Sequence, residues 1–302
     1  MDIHRLEVFC KVVELQSFTK AAEAVYLTQP TVSEHIRSLE ETVGEKLIDR
    51  LGREALPTSA GKILYQYARK LIQLRDEALQ ALEKHKGVLA GRLIIGASTI
   101  PGTYILPPFI GSFKADHPSI QITVRISGSG EVVEGVIGGE LEMGLIGARW
   151  EDRRIVLEEV FSDELILAVF PKHPWARRKT VNLDELAGQP FVLREKGSGT
   201  RMVMNELLLK NGFDPSRLSG VAEMGSTEAV RQAIKAQIGI SILSCHAVAE
   251  DLERKSLVAV GLGGVRLFRS FYLIQRKNRQ PSPICTAFID HLRSRAEERL
   301  GS

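Results

Sequence analysis

Between Ile3 and Leu15 the apolar residues Leu6, Phe9, Cys10 and Val13 recur at the spacing of one helical face. A second short helix is expected after Ser17, a good N-cap, where Ala21, Ala22 and Val25 make a face narrow enough for another helix to approach closely. Tyr26 and Leu27 carry the turn. Thr28 then caps a third helix, with Pro30 near its first position, where a missing N–H does no harm. In that helix Val32, Ile36, Leu39 and Val43 form one buried stripe and leave Pro30, Thr31, Ser33, Glu34, Arg37 and Ser38 facing outward. Gly44 is a helix stop, and the runs Leu47 to Arg50 and Ala55 to Pro57 flank Leu51-Gly52-Arg53-Glu54 as a short hairpin. The pattern predicts a three-helix core with a β wing.

From Ser59 to about Lys86 no proline interrupts a helical pattern in which Leu64, Leu71 and Ala78 recur at heptad spacing, with Tyr67, Ala68, Leu74 and Leu82 alongside. Such a helix, about 40 Å long, is poorly stable alone and is expected to pair with a copy of itself. Docking on its own C-terminal domain is the alternative. Gly87 and Gly91 mark its end. Beyond Arg92 the texture alternates. Strands are expected at 93–97, 120–126, 143–146, 165–170, 191–194, 221–224, 239–243 and 267–274, and helices at 107–115, 131–138 and 283–299, a βαβ pattern implying a mainly parallel sheet with helices on both faces.

With 302 residues and a net charge of +3, the chain has the make-up of an ordinary globular protein of two or three domains. No basic segment followed by an apolar h-region opens the sequence and no apolar run is long enough to span a bilayer, so a cytoplasmic protein without a membrane partner is expected. Cys10, Cys245 and Cys285 have no CxxC spacing; neither a disulfide framework nor a metal site is indicated. Charge does not simply announce a nucleic-acid partner, because residues 1–58 carry seven Lys or Arg against ten Asp or Glu. What can serve DNA is local. The outer face of the third helix is small and polar near its N-terminus, as a helix entering a major groove requires, so Gln29, Pro30, Thr31, Ser33 and Arg37 are candidate DNA contacts, joined by Arg50 and by Arg53 at the wing tip.

The run Leu6-Glu7-Val8-Phe9, then Ser17-Phe18-Thr19-Lys20-Ala21-Ala22, Thr28-Gln29-Pro30-Thr31-Val32-Ser33, Leu39-Glu40-Glu41 and Gly44-Glu45-Lys46-Leu47, resembles the LysR-type transcriptional regulators. Similarity is densest over roughly residues 1 to 65, and the layout of the whole chain follows the family's. The resemblance implies an all-α winged helix-turn-helix N-terminal domain (1–58), a linker and dimerisation helix (59–90), and an α/β two-lobed, periplasmic-binding-protein-like effector domain (91–302). In that arrangement lobe I takes about 91–162 and 268–302, lobe II about 163–267, and the chain crosses between them near Ser162 and Leu267. The partners implied are double-stranded promoter DNA, a small-molecule effector, a second copy as dimer or dimer-of-dimers tetramer, and RNA polymerase. One departure stands out. Glu34-His35 follow Ser33 where family members often carry a basic or amide pair, so Glu34 accepts from cytosine N4, pairs with Arg37 or caps a neighbour.

Ser98-Thr99, Gly128-Ser129-Gly130, Gly197-Ser198-Gly199-Thr200-Arg201 and Gly225-Ser226-Thr227 each fall at a strand end just before a helix, where ligands bind in open α/β sheets. Helix capping alone would explain any one of them. Together they predict a site between the lobes for a small anion, a carboxylate, phosphate or sulfur oxyanion, formed by Ser98, Thr99, Gly128, Ser129, Ser198, Thr200 and Arg201, with Ser226 as a weaker member. Arg201 is singled out because a cation in the first turn of a helix is disfavoured unless an anion joins it. The sequence holds no GxSxG, HExxH, Walker loop or GxGxxG after a strand, so neither an enzyme nor a bound cofactor is expected. The other function kept open is a two-lobed small-molecule-binding protein whose N-terminal helices serve a protein partner.

Overall fold

The computed structural model describes residues 2–51, 54–85 and 89–300. They form two compact units, residues 1–91 with 138–140, and residues 92–137 with 141–302.

The first unit contains α1 (Ile3–Leu15), α2 (Phe18–Ala24), α3 (Gln29–Val43), the hairpin β1 (Ile48–Leu51) and β2 (Glu54–Pro57), and α4 (Ser59–His85). Each of the first three helices starts where a short polar side chain can take a free N–H: Asp2 accepts from Arg5, Ser17 from Lys20 and Thr28 from Thr31. Gly44 ends α3 at φ 78°, a left-handed conformation that glycine reaches without a Cβ penalty. Leu6, Phe9, Val12, Ala21, Ala22, Val32, Ile36, Leu39, Leu47 and Ala55 make one buried core. Glu40 ties the wing to α3. Its Oε1 accepts from the Leu47 and Ile48 N–H groups at 2.9 and 3.4 Å, and its Oε2 pairs with Lys46 at 2.8 Å. Burial pushes the Glu40 carboxyl up, but Lys46 and the two N–H groups outweigh that and leave its pKa lowered.

α4 has two apolar faces, where the heptad pattern suggested one. Ala68 is buried, and Leu64, Tyr65 and Ile72 pack beside it on the core of α1 to α3. Leu64 and Ala68 therefore do not belong to a free seam. Ile63, Tyr67, Leu71, Leu74 and Leu82 remain exposed and form the second face, which keeps Leu71 of the heptad stripe but not Leu64.

The second unit contains β3 (Gly91–Ser98), α5 (Leu106–Asp116, entered through a π-helical turn at Pro101–Ile105), β4 (Ile120–Ser127), α6 (Ser129–Gly138), β5 (Met143–Ile146) and β6 (Ile155–Val169). It continues with β7 (Thr180–Val181), β8 (Pro190–Arg194), α7 (Gly199–Lys210), β9 (Ser219–Met224), α8 (Thr227–Lys235) and β10 (Ser241–Ser244). α9 (Cys245–Glu253), β11 (Val258–Leu262), β12 (Leu267–Arg276) and α10 (Pro283–Leu300) complete it. The main sheet runs β4-β3-β5-β12-β6-β11-β7, with β10 also on β6, and β8 and β9 form a separate pair. The expectation of a mainly parallel sheet is corrected to a mixed one: β3 and β5 are parallel, as are β8 and β9, but β12 is antiparallel to both β5 and β6, and β10 and β11 are antiparallel to β6.

The reason is that β6 and β12 each pass through both lobes, in opposite directions. β6 has 15 residues, far more than the 165–170 segment its apolar run suggested. It places Ile155 in one core, with Val132, Val136 and Ile274, and Leu165 and Leu167 in another, with Phe191, Met204, Ile242 and Val260. β12 returns the chain by contributing Leu267 to the second core and Ile274 to the first. The two crossing strands are in register over their length, with a shift between Phe271 and Tyr272.

Candidate DNA-reading face and effector cavity

On α3, Gln29, Pro30 and Arg37 are exposed, and Thr31 and Ser33 are half-buried on the same side. Their polar groups are held by neighbours on the helix. Gln29 Nε2 donates to Ser33 Oγ at 2.9 Å, and the Thr28 and Thr31 hydroxyls meet at 2.8 Å. Arg37 is caged between two acids, its Nη2 donating to Glu34 Oε1 at 3.1 Å and its Nε 3.4 Å from Glu41 Oε1. Of the three readings of Glu34, the structure realises the pairing with Arg37, with both side chains more than half exposed. Arg53 and the side chain of Arg50 lie outside the described residues.

In the second unit, strand ends and helix starts converge on a cavity of ≈ 140 Å³. Lobe I contributes Ser98 and Thr99 from the end of β3, Gly128 and Ser129 from the start of α6, and Gly147 after β5. Lobe II contributes Ser198, Gly199 and Thr200 at the start of α7, and Gly225. Ser98, Ser129, Ser198 and Thr200 are all buried. Ser98 Oγ accepts from the Gly147 N–H at 3.1 Å, and Ser198 Oγ caps α7 by accepting from the Arg201 N–H at 3.4 Å. The lobes nearly touch here, since a Cβ on Gly199 would lie 3.4 Å from Ser129 Oγ. First-turn N–H groups and short hydroxyls outnumber the carboxylate on this lining, Glu195, whose two oxygens are taken by Arg194, and the balance is suited to an anion.

Two members of the expected set are elsewhere. Arg201 does not line the cavity: its Nη1 donates to the Arg194 carbonyl at 2.6 Å and to Glu223 Oε2 at 2.7 Å. The helix-dipole cost that singled out Arg201 is offset by Glu223, so no anion is needed there. Ser226 is exposed and caps α8 through the Ala229 N–H at 3.1 Å.

Two arginines that the sequence reading passed over line the cavity instead. Arg194 donates from Nε and Nη2 to Glu195 and from Nη1 to Thr227. Arg269, on β12, donates from Nε to Asp163 Oδ2 on β6 at 2.7 Å and from Nη1 to Thr200 Oγ1 at 3.3 Å, with the Phe271 ring 4.8 Å from its Cζ. Burial lowers the Arg269 pKa and the Asp163 carboxylate works against that, the balance of a guanidinium kept in a dry site by one partner. Alternation carried the missing signal: Leu267, Arg269, Phe271 and Leu273 all face inward, so Arg269 is a charge in phase with core residues. Asp163, Cys245 and His246 bring potential metal-binding atoms within 4.8 Å of one another. The Asp163 oxygens are engaged by Arg269 and Ser244, and burial pushes the Cys245 thiol up, so neither favours a cation.

A helix-turn-helix followed by a two-lobed domain with a polar interlobe cavity defines a ligand-responsive, DNA-binding transcription regulator. Comparison with known families agrees. Residues 3–62 match the bacterial regulatory helix-turn-helix protein, lysR family, and residues 86–297 match the LysR substrate binding domain. The chain belongs to the LysR family of transcriptional regulators. It is 32% identical over 305 residues to the RuBisCO operon transcriptional regulator of Allochromatium vinosum, covering 100% of this chain and 99% of that one. Among solved structures, full-length CbnR complexed with its target DNA superposes with a TM-score of 0.74 at 22% identity, covering 98% of this chain and 100% of that one, a likeness of fold. The CcmR regulatory domain of Synechocystis PCC6803 in complex with 2-PG superposes with a TM-score of 0.63 at 25% identity, over 68% of this chain and 98% of that one. Among the described residues no helix is long and apolar enough to cross a membrane.

Proposed function

We propose that this regulator is controlled by a small anion held between the lobes by Ser98, Thr99, Gly128, Ser129, Ser198 and Thr200. The observation that carries this reading is the ≈ 140 Å³ cavity to which both lobes contribute buried hydroxyls and helix starts. A relative's regulatory domain in complex with 2-PG supports the same class of ligand. Closing the lobes on the anion favours one conformation of the crossing strands, and occupancy is thereby transmitted.

At the other end of the chain, Gln29, Pro30, Thr31, Ser33 and Arg37 on α3 meet promoter DNA, with Arg50 and Arg53 of the wing beside them. Two copies joined along the exposed face of α4, and two such dimers in a tetramer, present reader pairs to a roughly two-fold-symmetric site in the cytoplasm, and the readout is the activity of RNA polymerase there. The exposed Ile63, Tyr67, Leu71, Leu74 and Leu82 support the pairing. The alternative, a two-lobed binding protein whose N-terminal helices hold a protein partner, is less well supported by a small, polar α3 face.

Calorimetry on the full-length protein with 2-phosphoglycolate, glycolate and inorganic phosphate tests the ligand class. Saturable binding of at least one, weakened by Ser129→Ala with Thr200→Val, is expected. Binding of none of the three by folded protein overturns the anion reading. Footprinting that finds no protected promoter sequence overturns the DNA reading.

A further inference from the structure

Resting on the anion reading above, we propose that Arg269 is the cation the bound anion addresses, and that Asp163 is a built-in competing carboxylate that sets the anion's affinity. Asp163 and Arg269 stand directly opposite each other on β6 and β12, the two strands that pass between the lobes. Both side chains are almost fully buried, at 0% and 3% exposure.

The guanidinium is fixed but not used up. One face lies over Phe271, Nε is committed to Asp163, and Nη1 reaches Thr200 only at 3.3 Å. Nη2 is 2.6 Å from the same Asp163 oxygen that Nε uses, yet donates no hydrogen bond to any described residue. Guanidinium carries five N–H donors, and donors left without an acceptor in a buried site are costly. Arg269 lines the adjoining cavity, and an anion oxygen admitted there adds an acceptor for its N–H groups. Arg194, the other guanidinium on the lining, is differently placed, because each of its three nitrogens already donates to Glu195 or Thr227.

Asp163 cannot be displaced easily, since its Oδ1 accepts from Ser244 at 2.9 Å, at the start of α9. It therefore stays beside Arg269 when the anion arrives and cancels part of the attraction. Two consequences follow from the charges. The empty pair is close to neutral, so the protein folds without ligand. A carboxylate or phosphate group that reaches Arg269 shares the guanidinium with Asp163, and the hold on the crossing strands changes with occupancy.

The test uses the full-length protein, with binding measured by calorimetry and by thermal shift. The probes are 2-phosphoglycolate, glycolate and inorganic phosphate, which separate a carboxylate from a phosphate at Arg269. Asp163→Asn is expected to bind the preferred probe at least about tenfold more tightly and to show a larger anion-induced rise in Tm than the wild type. The double variant Asp163→Asn, Arg269→Gln removes both charges, with asparagine matching aspartate in size and glutamine shorter than arginine. It is expected to lose about 10- to 100-fold in affinity, the worth of one hydrogen bond to a charged group. If Asp163→Asn is unfolded without ligand, recovery of its helical circular dichroism on adding the anion is the expected result, and failure to recover counts against the proposal. A folded double variant with wild-type affinity overturns the role of Arg269 and leaves the anion reading standing. Failure of the wild type to bind any probe overturns both.

Discussion

Replacing Glu34 by glutamine should make the protein bind non-cognate DNA more tightly and so discriminate less. α3 carries Arg37 as its one Lys or Arg, against Glu34, Glu40 and Glu41. Glu40 is occupied by the wing, but Glu34 stands exposed on the face that bears Gln29, Pro30, Ser33 and Arg37, 3.1 Å from the Arg37 guanidinium. As an exposed ion pair it adds well under ~1 kcal/mol to stability, so its removal should not disturb the fold. Its effect falls on binding. Removing one negative charge that faces phosphate is equivalent to one more neutralised phosphate, which steepens the salt dependence by about 0.9 in log K against log salt. Between about 1 M and about 0.15 M salt that slope amounts to about fivefold per reading helix, and about 30-fold for a dimer seating two. At a cognate site where Glu34 accepts from cytosine N4–H, the same change loses roughly 1 to 3 kcal/mol of discrimination. Fluorescence anisotropy with a promoter duplex and a scrambled duplex across a KCl series measures both. Unchanged affinity and salt slope on the scrambled duplex would refute the reasoning, because Glu34 would then face neither phosphate nor bases.

Leu74→Asp, with Leu71→Asp as a second variant, should give monomers in sedimentation, because a charge would lie unpaired in the seam of α4; fully dimeric variants would place the pairing elsewhere. Glu40→Gln should cost about 1 to 3 kcal/mol in urea unfolding at neutral pH. The folded-state pKa of Glu40 is below its unfolded value, so its contribution is present above the unfolded pKa and is lost as pH falls through the folded one; the gap between wild type and Gln variant should close in acid. Gly61→Ala should lower stability by about 1 to 3 kcal/mol or more, since its Cβ would fall 2.0 Å from the Leu47 carbonyl oxygen, a backbone atom that cannot move aside; an unchanged Tm would contradict this.

Most of the first unit was legible from the sequence alone because its determinants are local. Caps at Ser17 and Thr28, the stop at Gly44 and the stripe Val32, Ile36, Leu39 act over one or two turns, and each has the same outcome in the folded chain. The hydroxyl clusters at Ser98, Ser129 and Ser198 were legible for the same reason: a strand end followed by a helix cap is a short-range pattern. Which of them meet was not. Arg201 and Ser226 had the same local credentials as Ser198, and only tertiary packing decided that Glu223 would take Arg201 while Ser226 stayed outside the lining. Likewise heptad spacing on α4 could not say that Leu64 and Ala68 face α1 whereas Tyr67 and Leu74 stay exposed. Asp163 and Arg269 are the clearest case. Arg269 is in phase with the inward Leu267 and Phe271, but Asp163 lies outside the strand expected at 165–170; they are 106 residues apart, and what pairs them is the antiparallel register of two strands that cross between lobes. Local chemistry is written in neighbouring residues; the partner of a buried charge is set by which distant strand the fold lays beside it.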